Sequence, residues 1–158
     1  MNEDGAARAV SAAKSLGLAH VVTRHGPVSS LAEAAAARGI EPHQLLKTMV
    51  VRVAEGEHRF VLVPGGREIA WPKLRALLGV NRLSMPSADA AAAITGYVRG
   101  TITPLGSRRA LPVVADASIA GTVSIGAGAP GVALTVDAAE LIAALDAMGA
   151  QMVEEIRA

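Results

Sequence analysis

The stretch Leu45-Leu46-Lys47-Thr48-Met49-Val50-Val51-Arg52-Val53 reads as an apolar strand with one ammonium group at its entrance. Side chains alternate along a paired strand, so Lys47 shares a face with Met49, Val51 and Val53, while Thr48, Val50 and Arg52 share the other. A lysine thus opens an apolar row. On pattern alone its stem lies along the core edge and its amine reaches water.

Working outward, Ala54-Glu55-Gly56-Glu57 turns this strand into a second, Arg59 to Val63, as a hairpin closed by Pro64-Gly65-Gly66. Upstream, Asp4 to Leu16 has the spacing of an amphipathic helix stopped by Gly17. His20 to Arg24 is a short strand, and His25-Gly26-Pro27 forces a turn. Ser30 caps a helix from Leu31 to Arg38, where Glu33 stands in position to complete a capping box, and Gly39 ends it. Pro42 opens one more helical turn leading into the Lys47 strand.

Downstream, Trp71-Pro72 starts a helix through Leu78, and Arg82 to Met85 is a short extended piece. Pro86-Ser87-Ala88-Asp89 starts an alanine-rich helix to Ile94. The segment from Thr95 to Gly106 carries too many breakers for regular structure and reads as a shaped loop. Leu111 to Asp116 is a strand ending on an acid. Thr122 to Gly126 and Val132 to Val136 are two more, joined by a glycine-rich turn. A last helix runs from Asp137 to Met148, and the remaining residues read as a loose helical turn. The expectation is one α/β domain of the α+β type over residues 1–158, with short helices around a central mixed, largely antiparallel sheet.

Composition narrows the chemistry. The 158 residues suffice for a real core, half of them are hydrophobic, and only 2% are aromatic, so the core is built from Val, Leu, Ile and Ala. No cysteine is present, which excludes disulfides, thiolate metal sites and cysteine nucleophiles. The formal charge of +1 gives no global argument for nucleic acid and leaves room for a local basic patch. No apolar run approaches the roughly 18 residues of a membrane span, so a cytoplasmic protein without a membrane partner is expected. Twelve of the fifteen basic residues are arginine, and the lysines are Lys14, Lys47 and Lys73.

The usual catalytic constellations fail. There is no Gly-x-Ser-x-Gly elbow, and His20, His25, His43 and His58 lack ligand spacing, so no metal is expected. Gly126-Ala127-Gly128-Ala129-Pro130-Gly131 precedes a strand where a dinucleotide site needs a helix. What remains is an amine, glycine-rich backbone and some hydroxyls. Backbone N–H groups aimed at a developing oxyanion, a cation to hold an anionic substrate and a positioned water suffice to hydrolyse an activated ester. No cofactor is required.

The ordered set His25-Gly-Pro-Val-Ser-Ser-Leu-Ala-Glu-Ala, Leu46-Lys47-Thr48-Met-Val-Val, Leu62-Val63-Pro64-Gly65, Thr95-Gly96-Tyr97, Gly100-Thr101-Ile102-Thr103-Pro104 and Leu111-Pro-Val-Val-Ala-Asp116 resembles the YbaK/prolyl-tRNA synthetase-associated editing-domain family, over roughly residues 15 to 148. The resemblance implies that family's α/β fold and hydrolysis of the ester in mischarged tRNA, commonly tRNA for proline carrying alanine, cysteine or a similar small residue. It implies the aminoacylated 3′ end of tRNA as partner, with prolyl-tRNA synthetase or an elongation factor as protein partners.

By the same resemblance Lys47 matches the family's functional lysine near the tRNA 3′ end. Gly100 and Pro104 match the ends of a loop whose backbone faces the scissile carbonyl, so Lys47 and Gly100 are the catalytic candidates. His25, Ser30, Thr48, Thr95, Tyr97, Thr101, Thr103, Pro104, Gly126 and Gly128 are the candidates for substrate contact. Gly126 stands where cysteine-specific members carry serine, and Pro130 where they carry a basic residue, a departure toward members acting on alanyl or other small aliphatic esters.

Structural readings compete at several positions. Gly96 and Gly100 fit positive-φ turns, Tyr97 fits a core residue with a satisfied hydroxyl, and Asp116 fits a cap for the following turn. Arg108 and Arg109 read as a solvated pair that, with Arg99 and Arg82, could meet an acceptor-stem backbone. Two other functions use the same residues: a non-catalytic tRNA- or synthetase-binding module, and hydrolysis of a small free ester or thioester.

Overall fold

The computed structural model describes residues 2–150 and 153–155. The elements follow as α1 (Asn2–Ser15), β1 (Val21–Arg24), α2 (Leu31–Ala37), a 3₁₀ turn (Pro42–Gln44), β2 (Leu45–Ala54), β3 (Glu57–Pro64), β4 (Arg67–Ile69), α3 (Trp71–Leu78) and α4 (Ala88–Thr95). Then come β5 (Val113–Asp116), β6 (Thr122–Gly126), β7 (Val132–Asp137), α5 (Ala138–Leu145), β8 (Met148–Ala150) and β9 (Val153–Glu155). Seven strands form one sheet in the order β1-β7-β6-β2-β3-β5-β8, and β4 pairs with β9 separately. The β1/β7, β6/β7 and β2/β3 pairings are antiparallel and hold the longer ladders, while β2/β6, β3/β5 and β5/β8 are parallel. This is the expected mixed sheet with short helices on both faces.

Alternation divides the core in two. Leu46 and Val50 of β2, Phe60 and Leu62 of β3, and Val113 and Ala115 of β5 point into the larger cluster, beneath Ala6, Ala9 and Ala13 of α1, Ala91 of α4 and Leu141 of α5. Val51, Val61, Val63 and Val114 point the other way, onto Leu74, Leu77 and Trp71 of α3. Central strands buried on both faces carry apolar residues at nearly every position, which is why the stretch 45–53 has so few polar residues.

Three expectations are corrected. Ser30 caps α2, its hydroxyl accepting from the Glu33 N–H at 3.0 Å, but the Glu33 carboxylate takes the hydroxyls of Ser29 and Ser30 and the backbone of Ser29 instead of closing the box on the N–H of the cap residue. The last helix stops at Leu145, because Asp146 adopts a left-handed conformation at φ 51°, and Met148 begins β8. Residues 153–155 pair with β4 and are not helical. Among the described residues no helix is long and apolar enough to cross a membrane.

His58 on β3 is 8% exposed, and its Nδ1 has no hydrogen-bond partner among the described residues. Burial first, then the charges of Arg109 and Arg52, hold its pKa below the ordinary imidazole value. The folded state thus disfavours the proton that the unfolded chain accepts near pH 6.5. The corresponding stability is present in full above about pH 6.5 and lost as pH falls from there toward the depressed folded value. Urea titrations at pH 7.5 and 5.5 should show a loss on acidification that shrinks in His58→Phe.

Candidate active site

The main cavity, about 670 Å³, lies where β2 and β6 part company. The two strands pair only at Leu45↔Ser124 and Leu46↔Ile125. Beyond Gly126 the chain leaves the sheet, with the Ala127 N–H bonded to Val132 and the Gly128 N–H to Thr101. The opening is walled by residues 45–50 of β2, by Met85, Pro86, Ser87, Ala88 and Ala91 leading into α4, by Arg99, Gly100 and Ile102, and by Gly126 and Arg38. Among the described residues, the cations Arg38, Lys47 and Arg99 stand around a largely apolar cleft lined by no carboxylate and no imidazole.

Lys47 enters on β2, locked opposite Val63 of β3. Its Nζ donates to the Arg67 carbonyl at 3.1 Å, leaving two of its three donors for a ligand. Its side chain belongs to the face of Met49 and Val51, so it also bounds a smaller cavity of about 290 Å³ with Met49, Val63, Glu68, Ile69 and Trp71. Lysine 47 and Met49 are the wall common to both spaces.

Arg38, at the C-terminus of α2, is a lining residue that sequence reading missed. Its Nη1 donates to the Ser124 hydroxyl at 3.3 Å and its Nε to His25 Nε2 at 3.5 Å. His25 Nδ1 lies 2.8 Å from the Gly26 carbonyl, so both contacts are met by the tautomer that carries its proton on Nδ1. Burial pushes the Arg38 pKa down, yet guanidinium stays charged at any working pH. Among the described residues no carboxylate pairs with it. An alanine-rich helix ending in one arginine gave no signal of this.

Of the candidates named from sequence, Lys47, Thr48, Gly100 and Gly126 line the cavity. Thr95, Tyr97, Thr101, Thr103 and Gly128 form the frame behind it. The Tyr97 hydroxyl, buried, donates to the Leu105 carbonyl at 2.6 Å, and burial raises its pKa. Thr101 Oγ1 donates to the Val98 carbonyl, Thr103 Oγ1 accepts from the Leu105 N–H, and Thr95 Oγ1 donates to the Ala91 carbonyl. Arg8 of α1 stitches the loop together: its guanidinium donates to the Gly106, Thr95 and Gly96 carbonyls and stacks 4.4 Å over the Tyr97 ring. Pro104 is half-buried in that loop, while Ser30 serves the α2 cap and His25 anchors Arg38 from outside the lining. Asp116 accepts from the Ser118 N–H and hydroxyl, a turn-capping pattern.

The outcome is a rigid loop presenting backbone at the cavity edge. The Thr101 and Leu105 amides are spent internally. Gly100 sits at φ 88°, and neither its amide nor that of Ile102, both lining residues, has a hydrogen-bond partner among the described residues. Backbone amides without partners at the edge of a cation-rimmed cleft are chemically suited to an anionic substrate with a reactive carbonyl. Among the described residues no group of His, Asp or Glu is placed to hold a metal.

Known proteins match this chain in sequence and in fold. Residues 25–144 match the aminoacyl-tRNA editing domain, and the chain belongs to that family. It is 33% identical over 106 residues to a proline–tRNA ligase of Bacillus licheniformis, covering 66% of this chain and 18% of the ligase. The chain thus spans less than a fifth of the length of the curated relatives it matches. A solved protein described as a candidate trans-editing enzyme for prolyl-tRNA synthetase superimposes with a TM-score of 0.86 at 26% identity, covering 95% of this chain and 97% of that one. A structure from work on grafting linear epitopes onto scaffold proteins superimposes at 0.84 with 27% identity, covering 96% and 98%.

Proposed function

We propose that this chain is a trans-editing deacylase that hydrolyses the ester of mischarged aminoacyl-tRNA, with tRNA for proline carrying alanine or another small residue as substrate. The observation that carries the reading is a cleft lined, among the described residues, by the cations Lys47, Arg38 and Arg99, by no acid, and by Gly100 and Ile102, whose amides have no partner there. Lys47 holds the phosphate or terminal ribose of the tRNA 3′ end, and the backbone of the 100–104 loop stabilises the carbonyl. Water adds to the ester carbon, the negative charge gathers on the carbonyl oxygen, and the bond to the ribose oxygen breaks. That oxygen recovers a proton as free amino acid leaves. With no carboxylate or imidazole in the lining, the proton of the attacking water passes to a neighbouring ribose hydroxyl or to solvent.

The pairing with synthetase relatives supports a role beside prolyl-tRNA synthetase. Incubating the protein with Ala-, Cys-, Ser- and Pro-tRNA for proline tests the reaction, and a gel shift on the same sample separates catalysis from binding alone. Binding without hydrolysis would favour the non-catalytic module.

Gly126 sets the width of the cleft in this account. A Cβ there meets nothing closer than the Ile102 carbonyl at 3.8 Å, so Gly126→Val should fold normally while filling part of the pocket. Competition assays should show hydrolysis of the larger esters falling roughly tenfold more than that of the alanyl ester. Equal losses on all esters would remove Gly126 from the amino-acid seat.

A further inference from the structure

Strand β2 has a break in its pairing. The Gly65 N–H donates to the Leu45 carbonyl at 2.7 Å, and Arg52 exchanges both backbone hydrogen bonds with Ser84 on the opposite edge. In an antiparallel ladder the N–H and C=O of one residue point to the same side, and the side alternates. Leu45, Lys47, Met49 and Val51 therefore bond toward β3, whereas Leu46, Thr48, Val50 and Arg52 turn their backbone groups the other way. On that edge β6 covers only Leu46, and Ser84 covers Arg52. Between them the N–H and C=O of Thr48 and Val50 have no hydrogen-bond partner among the described residues, and both residues line the main cavity. The Thr48 hydroxyl beside them is also buried, with no partner among the described residues. Val50 is buried and Thr48 half-buried, and buried backbone groups are nearly always paired, so this ledge offers unspent hydrogen bonds to a ligand.

We propose that the ledge seats the aminoacyl group of the substrate as a one-residue parallel β-bridge opposite Met49. The α-ammonium donates to the Thr48 carbonyl, and the ester carbonyl accepts from the Val50 N–H. In parallel pairing a residue bonds the C=O before and the N–H after its opposite number, and β6, parallel to β2, ends where such a residue would continue its ladder. The bound amino acid takes the place that β6 vacates. The Val50 amide then joins the 100–104 loop as a donor to the developing oxyanion, and a ligand without an ammonium group loses one of its two anchors. This rests on the deacylase reading and adds to it the group that holds the amino acid.

The test uses the intact protein labelled with ¹⁵N and ¹³C, and 3′-(alanylamino)-3′-deoxyadenosine as a stable mimic of the substrate end. Saturation should move the Val50 amide proton downfield, slow its solvent exchange roughly tenfold and shift the Thr48 carbonyl carbon. The propionylamino counterpart, lacking the ammonium, should shift Val50 without Thr48. An analogue that fails to bind, or binds with both groups unchanged, overturns the ledge. Separately, replacing Val50 by its α-hydroxy acid removes that one N–H and should lower kcat/KM for the alanyl ester by about 10- to 100-fold with the fold intact by circular dichroism; an unchanged rate overturns the proposal. A wild-type protein that hydrolyses no ester yet shows the Val50 and Thr48 shifts would defeat the deacylase reading and leave the ledge. Hydrolysis with a silent Val50 would do the reverse.

Discussion

Lys47→Ala is expected to lower kcat/KM for mischarged tRNA by about 100-fold and to leave the protein folded. The side chain contributes one partly exposed hydrogen bond to the Arg67 carbonyl, so its removal costs the fold only about 1 kcal/mol. Position 47 itself stays held by its ladder place opposite Val63. For the substrate the loss is larger, because the amine brings a full positive charge and two further donors to the wall between the main cleft, lined by no acid among the described residues, and the smaller cavity that holds Glu68. Lys47→Arg should recover only part of the rate: guanidinium keeps the charge but spreads it over a longer planar fork. Steady-state rates beside a thermal melt check both halves, and wild-type turnover in Lys47→Ala would remove the residue from the mechanism.

Gly128→Ala should have the opposite signature, a large loss of stability. This glycine sits at φ +82°, and a Cβ would lie 2.5 Å from the Gly5 carbonyl oxygen and 2.6 Å from Tyr97 Cε1. The left-handed backbone costs an alanine roughly 1–2 kcal/mol, and displacing α1 and the buried tyrosine adds roughly 1–3 kcal/mol. Against a typical total of about 5–15 kcal/mol that is a large share. Urea titration should show a much lower midpoint for Gly128→Ala than for Gly126→Ala, two residues earlier in the same turn. Equal midpoints would show that α1 does not clamp this turn.

Much of the fold was legible because its elements carry local signals. Pro72 and Gly79 bracket α3, Ser87 and Gly96 bracket α4 with the Ser87 hydroxyl accepting from the Ala90 N–H, and unbroken apolar runs mark strands buried on both faces. What was missed depends on distant partners. Strands β4 and β9 are three residues each and exist through one another; β8 exists through β5. No local pattern states such a pairing.

The site divided the same way. Lys47, Thr48, Gly100 and Gly126 were found as lining residues through family order. Thr95, Tyr97, Thr101, Thr103 and Gly128 belong to the same loop system but turn inward, because a loop rich in hydroxyls satisfies its own carbonyls before meeting solvent. Arg8 lies on a helix far from the loop in sequence, and Arg38, at the end of α2 shortly before Lys47, meets Ser124 only once that helix docks. The unpaired edge at Thr48 and Val50 arises where β6 stops while β2 continues, a property of two strands together.

The proposed reaction is hydrolysis in a cleft that selects small aminoacyl esters. The direct measurement is the rate at which the purified protein releases amino acid from alanyl-tRNA for proline, set against prolyl-tRNA for proline and a buffer control. The expected result is rapid release of alanine, with proline left on its tRNA and Lys47→Ala near the buffer rate. Release at the buffer rate from alanyl-tRNA and from the other small-residue esters would contradict it.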